Sequence, residues 1–357
     1  MSKMTRIIPV SMMLTVLSAI ILAGCGNRHS DKTGLNKSDI TETLSQTSES
    51  EKDSQMNSQS EDDTDTEITD AEAEDSGQAD NEEGSQEETR NPYIIAREPY
   101  TGVPVYEDME HIYMNTTWEY ADHSAISDGY AVLYKAAGER KNIIVGVNAG
   151  HGTAGGSSVR TLCHPDGSPK STGGSTAAGA TTATAVSGGM TFYDGTSESE
   201  VTFRMAQILR DRLLSQGYDV LAVRDGADVQ LDNVARTVIC NNVADCHISL
   251  HWDGDGLSYD KGCFYIAVPD AIKDMEPVAT HWQQHNVLGE ALVNGLYWAG
   301  MKIYGSGSMA IDLTQTSYST IPSVDMELGN ASSDHSDETL ENIADGLMAG
   351  INAYYGY

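Results

Sequence analysis

Positive charge is scarce in this chain. Its 357 residues hold 21 lysines and arginines against 53 aspartates and glutamates, a formal net charge of −32. A chain of that sign repels phosphate backbones, which excludes nucleic-acid binding as a function class. Cysteine is scarce as well. Five are present and no two form a CxxC pair, so a cysteine-ligated zinc site is excluded. Long apolar runs are missing except at residues 7–22. Residues 26–90 have almost no large apolar side chains, and with 20 acidic and 5 basic residues they carry 15 of the 32 net negative charges. Such a stretch cannot offset the entropy of ordering and is expected to be a disordered, self-repelling tether.

What is present divides the chain into parts. Lys3 and Arg6, the apolar run and "LAGC" at 22–25 have the layout of a secretory signal. The small pair before Cys25 resembles the bacterial lipobox, in which that cysteine is lipidated and becomes the mature N-terminus. The alternative is an uncleaved membrane anchor, although the run is short for a span. Either puts the rest outside the cytoplasm. The expected organisation is a signal at 1–24, a lipidated Cys25 with an acidic tether to 92, an N-terminal extension at 93–140, and a catalytic domain at 141–357. The remaining cysteines, Cys163, Cys240, Cys246 and Cys263, permit one or two disulfides in an oxidising compartment.

The pattern over the domain predicts an α/β fold: a mainly parallel twisted sheet with helices on both faces, in a single domain with a long insertion. Strands are expected at 129–134, 142–148, 218–224, 244–251, 263–268 and 322–328. Helices are expected from Val201 to Gly217, over 231–239, over 286–299 and over 337–354. Residues 153–195 are rich in Gly, Ser, Thr and Ala; they are expected to bury little and to be a mobile surface insertion.

The chemistry is expected at strand ends, where open α/β sheets place their sites. His151 lies between two glycines in "VNAGHGTAGG" (147–156), directly after a strand. His251 ends "ADCHISLH" (244–251), Glu327 lies near the end of "PSVDMEL", and Glu198 heads the first helix. Two histidines and a carboxylate form a zinc set with a free position for water, whose pKa zinc lowers to about 7. A further carboxylate outside that set can take and return the proton. Each residue taken singly has a plainer reading, as a structural histidine, a charge at a helix start or a loop carboxylate.

Four ordered segments resemble the zinc-dependent N-acetylmuramoyl-L-alanine amidases with a His–Glu–His metal site. They are "IIVGVNAGHG", "ESEVTFRMAQILRDRLLSQGYDVLAVRD", "LDNVARTVICNNVADCHISLHWD" and "PSVDMELGNASSDHSDE". The resemblance covers roughly 141–355. It implies one zinc held by His151, Glu198 and His251, and Glu327 as general base. Arg236 and Asn241, also in register, are implied as second-shell or substrate residues. Glu200 rivals Glu198 as a ligand, but it stands three residues after Ser197, where a capping box uses it. The implied reaction is hydrolysis of the amide between N-acetylmuramic acid and the L-alanine of the stem peptide. Implied partners are peptidoglycan and, through the lipid, the outer face of a Gram-positive cytoplasmic membrane; the sequence identifies no activator protein. A zinc peptidase acting on stem peptides and a non-catalytic wall-binding lipoprotein are the rival readings. Asn148, Ala149, Thr153, Trp252 and Asp253 depart from the family pattern, and the interval from His151 to Glu198 is much longer than usual.

Overall fold

The computed structural model describes residues 105–357. The expected signal, Cys25 and the tether lie outside the described residues. In chain order the strands and helices are β1 (Tyr106–Tyr113), β2 (Tyr130–Ala136), β3 (Ile144–Ala149), β4 (Arg160–Leu162), β5 (Thr182–Thr184), α1 (Glu198–Ser215), β6 (Asp219–Ala222), α2 (Asn233–Val243), β7 (Cys246–Asp253), β8 (Cys263–Ala267), α3 (Val278–Trp298), β9 (Ile303–Ala310), α4 (Thr314–Tyr318), β10 (Ser323–Asn330) and α5 (Asp337–Tyr355). Among the described residues no helix is long and apolar enough to cross a membrane.

Eight strands form one sheet in the order β1-β2-β6-β3-β7-β10-β8-β9. Its centre, β6-β3-β7-β10, is parallel. Antiparallel pairings bring β1 and β2 to one side and β8 to the other. The expected mainly parallel α/β fold is therefore the fold observed. β3 is buried along nearly its whole length, as a central parallel strand between two covered faces must be. On one face α1, α3 and α5 close the larger core, with Val145, Val147, Ile248, Leu250, Val324 and Met326 from the sheet beneath them. On the other face α2 packs Ala235 and Ile239 against Leu133, Leu221 and Val223.

Strand alternation decides where polarity goes. In β7, Cys246, Ile248 and Leu250 join the larger core, so His247, Ser249 and His251 point to the opposite face. In β10, Val324, Met326 and Leu328 join that core, and Asp325 and Glu327 take the opposite face. The parallel register sets Asp325 beside Ser249 and Glu327 beside His251. One polar strip thus crosses two central strands.

The structure departs from the sequence expectations in four places. α3 begins eight residues before 286, because an N-terminal turn with few apolar residues still places Val278 in a small core with Val268 and Ile272. β1, β9 and the short α4 were not anticipated; the two strands are mostly exposed edge strands, without a buried alternating face. The four cysteines are unpaired and buried, filling core positions as small apolar side chains. Finally, the 153–195 segment is built rather than loose. β4 and β5 pair antiparallel, and Cys163, His164, Lys170, Ala185, Val186 and Phe192 are all buried. Polar contacts supply what its apolar content does not. His164 Nε2 lies 2.8 Å from Asp312 Oδ1 and His164 Nδ1 lies 2.8 Å from Ser168 Oγ. The Ser171 amide donates to Asp312 Oδ2 at 2.7 Å, the Asp312 amide donates to Thr172 Oγ1 at 2.8 Å, and Lys170 Nζ donates to the Asp312 carbonyl.

Candidate metal centre

His151, Glu198 and His251 come together, with one ligand atom from each lying within 4.8 Å of the others. His151 Nε2 is 2.8 Å from Glu198 Oε1, and His251 Nδ1 is 3.1 Å from both of those atoms. Tetrahedral zinc bonds near 2.0 Å place neighbouring ligand atoms about 3.3 Å apart. The donor set, two imidazole nitrogens and a carboxylate oxygen, and its spacing both fit that ion.

Local structure aims each group. His151 occupies a left-handed turn, φ 64°, unusual for a residue with a Cβ. Two buried guanidinium groups hold the turn. Arg236 donates to the carbonyls of Ala149 and His151 at 3.1 and 2.6 Å, and to Asn148 Oδ1 at 3.1 Å. Arg224 donates to the carbonyls of Ala149 and Gly150, each at 3.1 Å. A Cβ at Gly150 would stand 2.2 Å from the His251 ring, so only glycine allows the two ligand segments to approach. His151 Nδ1 lies 2.9 Å from the Ser187 carbonyl. A carbonyl only accepts, so Nδ1 carries the proton and Nε2 turns its lone pair into the cluster.

Glu198 begins α1, is 2% exposed, and benefits from the helix N-terminus. Its Oε2 accepts from the Met190 amide at 2.8 Å and its Oε1 from the Trp252 amide at 3.0 Å. Burial opposes its charge, but the imidazoles of His151 and His251 beside it outweigh that and hold its carboxyl well below the usual carboxylate range. Glu200 is exposed, and its amide donates to the Ser197 cap. The structure brings Glu198, and not Glu200, to the histidines.

Glu327 lies beside His251 in register. Its Oε2 is buried without a hydrogen-bond partner among the described residues, and so is Asp325 Oδ1. Burial, and then the Asp325 charge, push the Glu327 carboxyl well above its usual range. Burial lowers His251, but Asp325, Glu198 and Glu327 raise it further, to about 10. Three carboxyl groups thus lie around two imidazoles, a set of oxygen and nitrogen donors that a divalent cation can use.

Arg236 sits behind His151 and holds its backbone rather than entering the cluster. Asn241 does not join the cluster: its side chain donates to the Tyr318 carbonyl and accepts from the Thr320 amide, tying α2 to α4. Sequence reasoning missed Arg224, Ser187, Met190 and Asp325. Only Asp325 had a local signal, a charge interrupting an apolar strand.

The sheet order and the strand-end His–Glu–His cluster define an α/β domain with a candidate metal centre. Residues 145–352 match the N-acetylmuramoyl-L-alanine amidase family, and the chain belongs to that family. With it comes the activity, hydrolysis of the amide joining N-acetylmuramic acid to L-alanine in peptidoglycan. Among solved structures, the N-acetylmuramyl-L-alanine amidase Ami1 of Mycobacterium smegmatis is 18% identical; the match covers 61% of this chain and 99% of that one, with a TM-score of 0.51. Ami1 of Mycobacterium abscessus, in its apo form, is 22% identical over 60% of this chain and 99% of that one, with a TM-score of 0.48. The CwlD amidase of Clostridioides difficile, in complex with the GerS lipoprotein, is 20% identical over 60% of this chain and 99% of that one, with a TM-score of 0.43. The first of these shows a shared fold. No curated protein matches the chain.

Proposed function

We propose that this amidase is a one-zinc enzyme in which His151, Glu198 and His251 hold the metal and Glu327 handles the proton. The observation that carries the reading is the compact set of three ligand atoms beside an unpartnered, buried Glu327 oxygen. Zinc, when bound, supplies polarisation of the scissile carbonyl and acidification of water. The chain's own groups do the rest. Glu198, held by two backbone amides, keeps its charge and its direction. The His151 ring, with its Nδ1 proton on the Ser187 carbonyl, stays in one tautomer. Glu327 takes a proton from the attacking water and delivers it to the alanine nitrogen as the C–N bond breaks.

The location belongs to the same proposal. The motif at 22–25 supports a lipid on Cys25 and the outer face of the cytoplasmic membrane of a Gram-positive cell, with residues 25–92 as the spacer to the wall. The test is to digest purified peptidoglycan with the protein and identify the products by mass spectrometry. Stem peptides with free L-alanine amino termini, and glycan strands with free lactyl carboxyls, are expected. New termini inside the stem peptide would instead mark a peptidase.

A further inference from the structure

We infer that Asp325 is the positioning carboxylate behind His251: it faces Nε2, fixes the proton there, and leaves Nδ1 free for the metal. This rests on the metal-site reading above.

His251 presents Nδ1 to His151 and Glu198, each at 3.1 Å. On the other side of the ring, Nε2 lies 3.8 Å from Asp325 Oδ2. The two histidines are therefore supported alike. Each turns one nitrogen into the cluster and the other toward an oxygen acceptor, the Ser187 carbonyl for His151 and the Asp325 carboxylate for His251. Acceptors placed in this way set the tautomer and raise the basicity of metal-binding imidazoles. The 3.8 Å separation exceeds a formed hydrogen bond, and contacts in such sites commonly tighten once the working complex forms.

Packing gives no other account of this residue. Val324 and Met326, its chain neighbours, are fully buried in the larger core, while Asp325 faces the opposite way, beside Ser249. Among the described residues Asp325 Oδ1 is buried with no donor, an unfavourable state for a carboxylate. Ser249 Oγ donates to Gln315 and accepts from Asn148 Nδ2, and neither bond involves the acid. The group it does face is His251.

The test uses the full chain with Asp325→Asn and Asp325→Leu, Glu327→Gln as a control, and zinc ion alone as the probe. Zinc affinity is read by competition with a chromogenic chelator. The His251 tautomer is read in the zinc-loaded protein by long-range 15N–1H NMR. Thermal melting reports folding. Both Asp325 variants are expected to lose about 10- to 100-fold in zinc affinity, with Asp325→Leu losing at least as much as Asp325→Asn. Glu327→Gln should stay within a few-fold of the parent, and the parent should show a single Nε2–H tautomer at His251. A folded Asp325→Leu protein with parental affinity and an unchanged His251 signal would overturn the inference; if that variant does not fold, the same result for Asp325→Asn would do so. Were His151→Ala to bind zinc as tightly as the parent, the metal-site reading itself would fail, an outcome distinct from failure of the Asp325 role alone.

Discussion

Glu198 and Glu200 are two residues apart on the first turn of one helix, yet their surroundings differ completely. Glu198 is buried against both histidines, whereas Glu200 is exposed. Glu198→Ala should remove most of the bound zinc, and Glu200→Ala should leave it in place, as measured by metal analysis after gel filtration. Equal loss from both would show that the helix start, not the side chain, matters. The choice between them was legible in the sequence, because cap spacing claims Glu200. His151, His251 and Glu327 were legible for a related reason: each lies at or near a strand end. Asp325 was not, since it takes the folded position of the His251 ring, one register place along β7, to reveal what it faces. Met190 acts through its backbone amide, of which side-chain identity carries no trace, and Ser187 reaches His151 Nδ1 with both its carbonyl and its Oγ from a stretch with no recognisable pattern.

At the scale of elements, the turn after β3 depends on two arginines. Arg236 is 1% exposed and serves carbonyls on both sides of the left-handed His151. Arg236→Ala should leave the His151 carbonyl unpaired and the Ala149 carbonyl to Arg224 alone, and cost about 3 kcal/mol in urea unfolding. A change under about 0.5 kcal/mol, usual for surface sites, would deny the clamp. The helix and strand pattern was legible wherever burial is periodic, as in α1, β7 and α5. It failed for the 153–195 segment, whose fixed structure comes from a polar clasp on a residue distant in sequence. Burial raises the Asp312 pKa, but the His164 hydrogen bond, the Ser171 amide and Lys170 outweigh it, and the net shift is downward from 3.8. A depressed carboxylate contributes its full stability above its unfolded pKa and loses it as pH falls through the folded value. Hydrogen exchange within 163–181 should therefore accelerate below about pH 4, ahead of exchange in β3 and β7. Simultaneous loss would mean that the clasp does not hold the segment on its own. The C-terminal part of the segment contacts the metal cluster through Ser187 and Met190, so the rest of the segment is expected to influence which substrates reach it. Because Ser187 and Met190 contact the metal cluster, replacement is best confined to 165–179. With zinc content unchanged, that replacement should shift the rate on intact wall, relative to a soluble muropeptide, several-fold. A constant ratio would make the segment idle in catalysis.

At the scale of the whole molecule, the fold supplies a buried parallel centre, and the candidate site sits where β3, β7 and β10 end beside the first turn of α1. No single element holds the site, so its parts are independent tests of one account. That account predicts a specific separation between holding metal and moving a proton. The most direct measurement is zinc content and single-turnover muropeptide cleavage, taken together, for the parent, His151→Ala, His251→Ala and Glu327→Gln. The parent should carry about one zinc per chain, and the histidine variants should lose both zinc and cleavage. Glu327→Gln should keep its zinc and lose roughly 100-fold or more in rate. Histidine variants that still hold a full zinc, or a Glu327→Gln protein that cleaves at the parental rate, would contradict it.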